Sequence, residues 1–475
     1  MKVKFLVESL QAPNLEHLLC HSCQQEILKV CLGVLAVQNN KPYNNMHMTN
    51  VDEVCSSIKK MLQELPPLAE ECNIHRVPRR LLKRNLQAYM PQIISIGPFH
   101  HGRQDLMPME QHKLRFLDRY LRRTNFGIEV TVGIVRSWET TARNCYAEPI
   151  NMDSDEFVKM MLVDGCFIVE LMMMVCRIGS ETETRFDPLL FCAMMTDLYC
   201  DLIMLENQLP FFVLQGLFDQ FSLEAGLSFL QLTHMFYTRG PLIKPRTLEL
   251  PHGVMISTHK VNHLVDFLSF YYAPAPASVS FTSHSLAISR KKCTFPPTVT
   301  ELWEAGIVFK KAMRAKHIMD ISFKDRVLQI PPLEIGDVFE TYVRNLMAFE
   351  QYHNDGKYAI QYFLFLNGLI SREQDVSLLV KANIITNCIG GNNQEVSTLF
   401  NDLCKDVIVR GDCNCFNHIN EALHEHCGAR WNKRMASLRR DYFNTPWAFI
   451  SFVAAAFLIL LTFLQTLFSA MSLSK

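Results

Sequence analysis

FVKMMLVDGCFIVELMMMV, residues 157–175, decides the fold class. Coiled at 3.6 residues per turn, this run is apolar nearly all round, so it reads as a buried helix and not as a surface helix with one apolar stripe. Met160, Met161, Met172, Met173 and Met174 fill gaps in a core, the usual task of flexible thioethers. Leu198–Phe218 reads as a second such helix, in which Glu206, Asn207 and Gln208 interrupt the apolar face just before Pro210. Polar groups among apolar neighbours must find hydrogen bonds when buried. The expectation is a structural polar cluster that satisfies the backbone groups freed by Pro210 at a kink. Two long buried helices predict a mainly α protein.

The surrounding chain agrees with a globular body. It has 475 residues, 49% hydrophobic and 20% charged, enough for two or three domain-sized cores. A formal net charge of zero argues against broad nucleic-acid binding, which needs a basic face. Sixteen cysteines in so long a chain suit a reducing compartment, since disulfide frameworks belong to short secreted domains. No Asn-x-Ser/Thr sequon occurs, which favours a body outside the secretory lumen.

Towards the C-terminal end, Pro446–Ala470 (PWAFISFVAAAFLILLTFLQTLFSA) carries no charge. Trp447 to Phe468 is about 22 residues, roughly 33 Å of helix against a hydrocarbon core of about 30 Å. Its Leu, Ile, Phe and Val side chains, among them Phe449, Phe452, Phe457 and Leu461, contribute on the order of −4 to −8 kcal/mol to insertion. Trp447 suits an interfacial anchor. Lys433, Arg434, Arg439 and Arg440 precede the stretch and only Lys475 follows it, so the positive-inside bias puts the large body in the cytosol, a tail-anchored arrangement. Plasma membrane and endoplasmic reticulum are both expected hosts. Ile27–Val37 is apolar but too short to span, contains Lys29 and lies too far from Met1 for a signal peptide.

Taken in order, residues 1–50 read as a poorly ordered extension, with a lone Cys20-x-x-Cys23 that is weak as a metal site because zinc needs four ligands. Val54, Ile58, Met61, Leu62 and Leu65 recur at helical spacing up to Pro66-Pro67. Tyr89–Gly102 holds a β-branched run ended by Gly-Pro and predicts a short strand and turn, and Met109–Arg123 predicts a helix. Further helices are expected over Leu227–Tyr237, Val261–Tyr272, Val338–Tyr352, Tyr362–Ile370, Asp375–Val380 and Val396–Val407. Residues 273–298, rich in Pro, Ala, Ser and Thr without a period, read as a linker or long loop between one lobe over 51–272 and a second over 299–445. Ile318–Phe323 and Val327–Leu333 predict a β-hairpin. The expected architecture is a two-lobed helical body with a minor β-hairpin component and one transmembrane helix over 446–470.

Several motifs resemble the plant domain-of-unknown-function 247 family, also called uncharacterised protein family 0481. They are Val77-Pro78, Ser95-Ile96-Gly97-Pro98-Phe99-His100-His101-Gly102, Met109-Glu110-x-His112-Lys113, Asp164-Gly165, and Asp201 to Leu214 with its Glu206-Asn207-Gln208-Leu209-Pro210 centre. Glu301-Leu302, Ala305-Gly306 and Arg344 to Gln351 continue the likeness, which covers roughly residues 74 to 470. The resemblance implies a membrane-anchored protein that acts by interaction or signalling. Some grass relatives are determinants of pollen self-incompatibility.

No constellation of residues spells out a reaction. His100 and His101 with Glu110 and His112 match no zinc spacing and read as a His-capped turn. Asp164-Gly165-Cys166 lies in an apolar helix, where a thiol is buried and inert. Cys413, Cys415, His418, His424, His426 and Cys427 are dense in ligands but poorly spaced for a metal. Phosphate loops, nucleophile elbows and aromatic-interleaved basic stripes are lacking. The expectation is no catalytic residue, metal or cofactor, no small-molecule substrate or nucleic acid, and partners limited to lipid and an unnamed protein. The alternative is a membrane-bound enzyme with a site near His100, His101 and Glu206, and a further possibility is a structural anchor presenting an exposed apolar patch.

Overall fold

The computed structural model describes residues 48–63, 72–176, 188–221, 226–239, 261–270, 295–313, 315, 318–352, 357–408, 415–428 and 446–473. The chain divides into two compact units, Met1–Leu68 and Ala69–Lys475. Within the first, α1 (Met48–Gln63) is an amphipathic helix. The Cys20/Cys23 pair, Ile27–Val37 and nearly all of the predicted extension lie outside the described residues.

The second unit is built around the opening stretch of the sequence, which forms α6 (Ser154–Cys176). Asp153 caps it, its carboxylate accepting from the Glu156 amide at 2.8 Å. Asp155 and Glu156 meet the positive end of the helix dipole. Every residue from Met160 to Met173 is buried, so the all-round apolar reading holds. Five helices wrap α6: α3 (Pro108–Thr124), α4 (Ile128–Ser137), α5 (Glu139–Asn144), α8 (Phe211–Phe218) and α9 (Phe229–Arg239). Burying one side chain of this kind contributes about 1.5–3 kcal/mol. Gly165 allows the α6–α8 approach, since a Cβ there would sit 2.5 Å from Leu217 Cδ1.

The same buried core extends to α10 (Leu264–Ser269), α11 (Val299–Glu304), α12 (Phe339–Glu350), α13 (Tyr358–Leu369), α14 (Glu373–Lys381), α15 (Asn393–Leu403) and α16 (Asn417–Gly428). Residues from both sides of 273–298 contribute to it, and most of that segment lies outside the described residues. The β component is small. β1 (Val308–Lys311) pairs in parallel with β3 (Val327–Ile330), which pairs antiparallel with β2 (Ser322–Lys324). β4 (Leu333–Ile335) pairs in parallel with β5 (Ile385–Asn387). The β2–β3 hairpin is the predicted one, closed by Asp325 and Arg326 at positive φ. Its first strand is shorter than Ile318–Phe323, and Leu333 belongs to β4.

Three local expectations are corrected. Leu198–Phe218 is not one kinked helix: α7 (Pro188–Leu202) ends, residues 203–210 run as a buried loop, and α8 starts afresh with Pro210 as its N-cap. The physical reason lies in Gln208, whose amide takes the Leu202 and Met204 carbonyls that a continuing helix would have used. Tyr89–Gly102 forms no strand. After a 3₁₀ turn at Gln87–Tyr89 the backbone of residues 92–96 is held by side chains instead of a neighbouring strand. Among the described residues of Val261–Tyr272, the helix covers α10, with His263 as N-cap.

One described helix, α17 (Pro446–Leu473), is long and apolar enough to cross a membrane. Its window Ile450–Leu467 has a mean hydropathy of 2.2, and none of it is buried. Phe452, Phe457 and Leu461 are exposed there. The side chains of Trp447, Phe449 and Phe468 lie outside the described residues.

Candidate functional site

The family-like motifs converge on one buried polar network that fastens residues 73–106 to the loop 203–210. Asp201, at the end of α7, accepts from the amides of Gln92 (2.8 Å), Ile93 (2.8 Å) and Ile94 (2.9 Å). Burial drives its carboxyl up to about 6 against the pull of those three amides. Asn207 Oδ1 accepts from the Ile96 amide at 2.7 Å, while its Nδ2 donates to the Ile94 and Asp201 carbonyls. Gln208 Oε1 accepts from the Leu264 amide at 3.0 Å, carrying the network to α10. Asn345 on α12 closes it, accepting from the Leu205 amide and donating to the Ala88 carbonyl.

A second knot joins α3 and α6. Lys113 Nζ donates to Asp164 Oδ1 (2.7 Å), Glu110 Oε1 (2.6 Å) and the Ser95 carbonyl (2.5 Å). Asp164 Oδ2 accepts from the Gly97 amide at 2.9 Å. Burial works against the Lys113 charge, but Asp164 and Glu110 outweigh it and hold the ammonium above its ordinary value. Gly97 has φ +71, and a Cβ there would lie 2.5 Å from the Gln208 carbonyl oxygen. That combination of left-handed backbone and close approach requires glycine. Pro98 follows within the same turn.

The third knot contains the sequence-predicted pair. Glu206 Oε1 accepts from the Val77 amide at 2.7 Å, and its Oε2 from Arg76 Nη1 at 3.0 Å. Pro78 then caps α2 (Arg79–Leu82). Arg76 also lies over the Phe99 ring, 4.2 Å from its centre, and reaches Glu148. His100 Nε2 stands 3.9 Å from Glu206 Oε2 and has no hydrogen-bond partner. Burial, then the Arg103 and Arg76 cations, push its imidazole down to about 4. The ring is neutral at physiological pH, so the contact with Glu206 is not an ion pair. The structure therefore brings His100 and Glu206 together and leaves His101 exposed at the surface. His100 is a buried side chain and not the cap of an exposed turn.

Chemically, the arrangement holds backbone. Both Glu206 oxygens already have donors, as do the Asp164, Asn207 and Asp201 acceptors. The Cys166 thiol is buried and burial raises it well above its usual value, the opposite of nucleophile activation. Of the C-terminal ligand cluster, His424 meets the Phe295 carbonyl at 2.7 Å and His426 the Ala305 carbonyl at 3.3 Å. Cys413 lies outside the described residues, among which no metal-sized group of His, Cys, Asp and Glu occurs.

Other buried carboxylates, outside this network, carry weaker sequence signals. Asp375 accepts from the amides of Thr300, Ser371 and Arg372, and Glu350 from those of Ala359 and Ile360. Glu170 sits fully buried in α6 near Arg119 (3.0 Å) and Arg123 (3.2 Å) of α3. The signal that finds Glu170 is a charge whose helical neighbours i±3 and i±4 are all apolar, and Lys113 has three apolar neighbours there with Glu110 as the fourth.

A family profile described as DUF247, plant protein of unknown function, matches residues 74–461. A UPF0481 protein of Arabidopsis thaliana is 29% identical over 423 residues, spanning 85% of this chain and 87% of its own length. A second A. thaliana UPF0481 protein is 23% identical over 485 residues, spanning 83% and 89%. No solved structure matches the chain.

Proposed function

The chain belongs to the plant DUF247 family, and on that premise we propose that it is a membrane-anchored protein acting through protein–protein interaction or signalling rather than catalysis. One observation carries the reading: the polar residues of the family-like motifs are spent on buried backbone groups and on one another. Asp164, Glu206, Asn207 and Gln208 do the work of a scaffold, and recognition then falls to the surface of the folded body. The pollen recognition implied by the family resemblance is one instance of such a role. In this reading α17 inserts in the plasma membrane or endoplasmic reticulum, and the Lys433, Arg434, Arg439 and Arg440 bias keeps the body cytosolic.

Protease protection of a chain tagged at both ends tests the topology: the N-terminal tag is digested from the cytosolic side and the C-terminal tag is spared. Proximity labelling from the body tests the role. A discrete set of protein neighbours, lost when α17 is deleted, supports it. The same neighbours without α17, or none above background, sink it.

An enzymatic reading rests on the unpartnered His100 Nε2 beside Glu206. It requires small molecules to reach that pair, so His100 of the folded protein would be modified by diethyl pyrocarbonate as fast as exposed His101. Protection of His100 disposes of it.

A further inference from the structure

We propose that α1 is a self-association element, pairing antiparallel with α1 of a second copy of this chain. Every residue from 53 to 63 is exposed. Val54 (57%), Ile58 (50%), Met61 (66%) and Leu62 (62%) are among the most exposed large apolar side chains outside α17. An isolated helix of 16 residues is near the limit of about 12–15 at which helices become marginal in water. Val51, Val54 and Ile58 are β-branched and weaken it further. The helix therefore needs packing against its apolar face.

The spacing says what kind of packing. Val51, Val54, Ile58 and Met61 recur at intervals of three, four and three, the a/d seam of a two-stranded coil, with Leu62 beside it on the edge that carries Cys55. Charge then selects direction. Asp52 and Glu53 lie at the N-terminal end, Lys59 and Lys60 at the C-terminal end. In an antiparallel pair centred on Ser56, Val54 lies opposite the partner's Ile58 and Val51 opposite the partner's Met61. The same register sets opposite charges on each edge of the seam, within one residue of level: Asp52 with the partner's Lys59 on one edge and Glu53 with the partner's Lys60 on the other. A parallel pair would stack like charges at both levels. One register thus satisfies the apolar and the charged residues together, with the two-fold symmetry of an isologous dimer.

Cys55 reports the geometry. It is exposed and free, and it flanks the seam beside the centre of the pairing. Two-fold symmetry sets one edge of the seam against the same edge of the partner, so the two Cys55 residues face each other, offset by two residues or roughly 3 Å along the axis. In a parallel pair they would lie on opposite edges.

The experiment uses the full-length chain in mild detergent, with mass measured by light scattering and a short bis-maleimide as cross-linker. The expected result is a dimer that Ile58→Glu weakens at least tenfold. A covalent dimer should form in the parent chain and its yield should drop sharply in Cys55→Ser, whose mass by scattering stays dimeric. Glu53→Lys should weaken the dimer and Glu53→Lys with Lys60→Glu should restore it. A monomeric parent chain, or a dimer indifferent to Ile58→Glu, overturns the proposal. So does an Ile58-dependent dimer with no Cys55-dependent share of cross-linked product, because the pairing is then not antiparallel.

Discussion

Lys113 Nζ lies 2.7 Å from Asp164 Oδ1, with 0% and 2% of the two side chains exposed. A lysine and an aspartate cross-link the two longest helices wrapped into the core and, through the Ser95 carbonyl and the Gly97 amide, the irregular segment laid over them. The pair is one repeat of a ladder along α3 and α6. Phe116 meets Phe167 edge-on at 4.8 Å, and Arg119 and Arg123 meet Glu170, each rung three or four residues beyond the last.

Removing one partner of such a pair leaves a buried charge unanswered, at a cost of about 3–5 kcal/mol. Lys113→Met should lower the stability of the folded chain by that order in chemical denaturation. Adding Asp164→Asn should recover part of the loss, because the orphaned charge goes with it. A single-variant loss below about 1 kcal/mol would mean that water reaches the pair.

Two glycines separate strain from crowding. Gly97 and Gly102 both have positive φ, but a Cβ on Gly102 meets nothing within 4 Å. Alanine at either position carries the left-handed penalty of about 1–2 kcal/mol. Gly97→Ala adds a collision with the Gln208 backbone, worth about 1–3 kcal/mol more. Unfolding midpoints of the two variants measured side by side give the difference directly, and equal shifts would rule the collision out.

The helices were legible because one signal, apolar recurrence, specifies them. Phe157–Val175 encodes burial on every face and α6 has it. The loop 203–210 was not legible because its sequence competes with itself. Leu202, Ile203, Met204, Leu205 and Leu209 continue a helical pattern, and only the side-chain bonds of Gln208 and Asn207 to backbone stop it. The run Ile93–Ile96 has strand composition, yet its partners are the side chains of Asp201 and Asn207, some 110 residues away, which no local pattern reveals. The same holds for the site. Glu206, Asn207 and Gln208 are recognisable as a structural cluster, whereas the meeting of Glu206 with Arg76 and His100 depends on tertiary packing.

His100 makes stability depend on pH. Its pKa falls from 6.5 to about 4 on folding, so between these values the unfolded chain binds more protons. Its contribution is full above pH 6.5 and is lost as pH falls towards 4, up to about 3 kcal/mol at 1.36 kcal/mol per pH unit. Glu350 runs the other way. Burial raises it from 4.5 to about 7, so its contribution falls as pH rises through that window. The two oppose each other in the parent chain. The stability difference between parent and His100→Asn isolates the histidine, and it should shrink from pH 7 to pH 4.5. A difference independent of pH would show that the imidazole titrates normally.

Asp201 offers the sharpest local test. Its two oxygens serve three consecutive amides, those of Gln92, Ile93 and Ile94, and the Ile94 amide is buried. With no neighbouring strand, nothing else in this segment can take them over. Asp201→Ala strands these donors, each at about 1–3 kcal/mol if it stays dry. The cheaper response is for residues 91–96 to lift and hydrate, which opens the segment without unfolding the α3–α6 ladder. Amide exchange should therefore accelerate at Gln92, Ile93 and Ile94 while α6 keeps its protection. Asn207→Ala should free Ile96 in the same way and leave Gln92 and Ile93 slow. If α6 and the segment instead lose protection together, the two form one cooperative unit, and the network is part of the global core rather than a fastening laid across it.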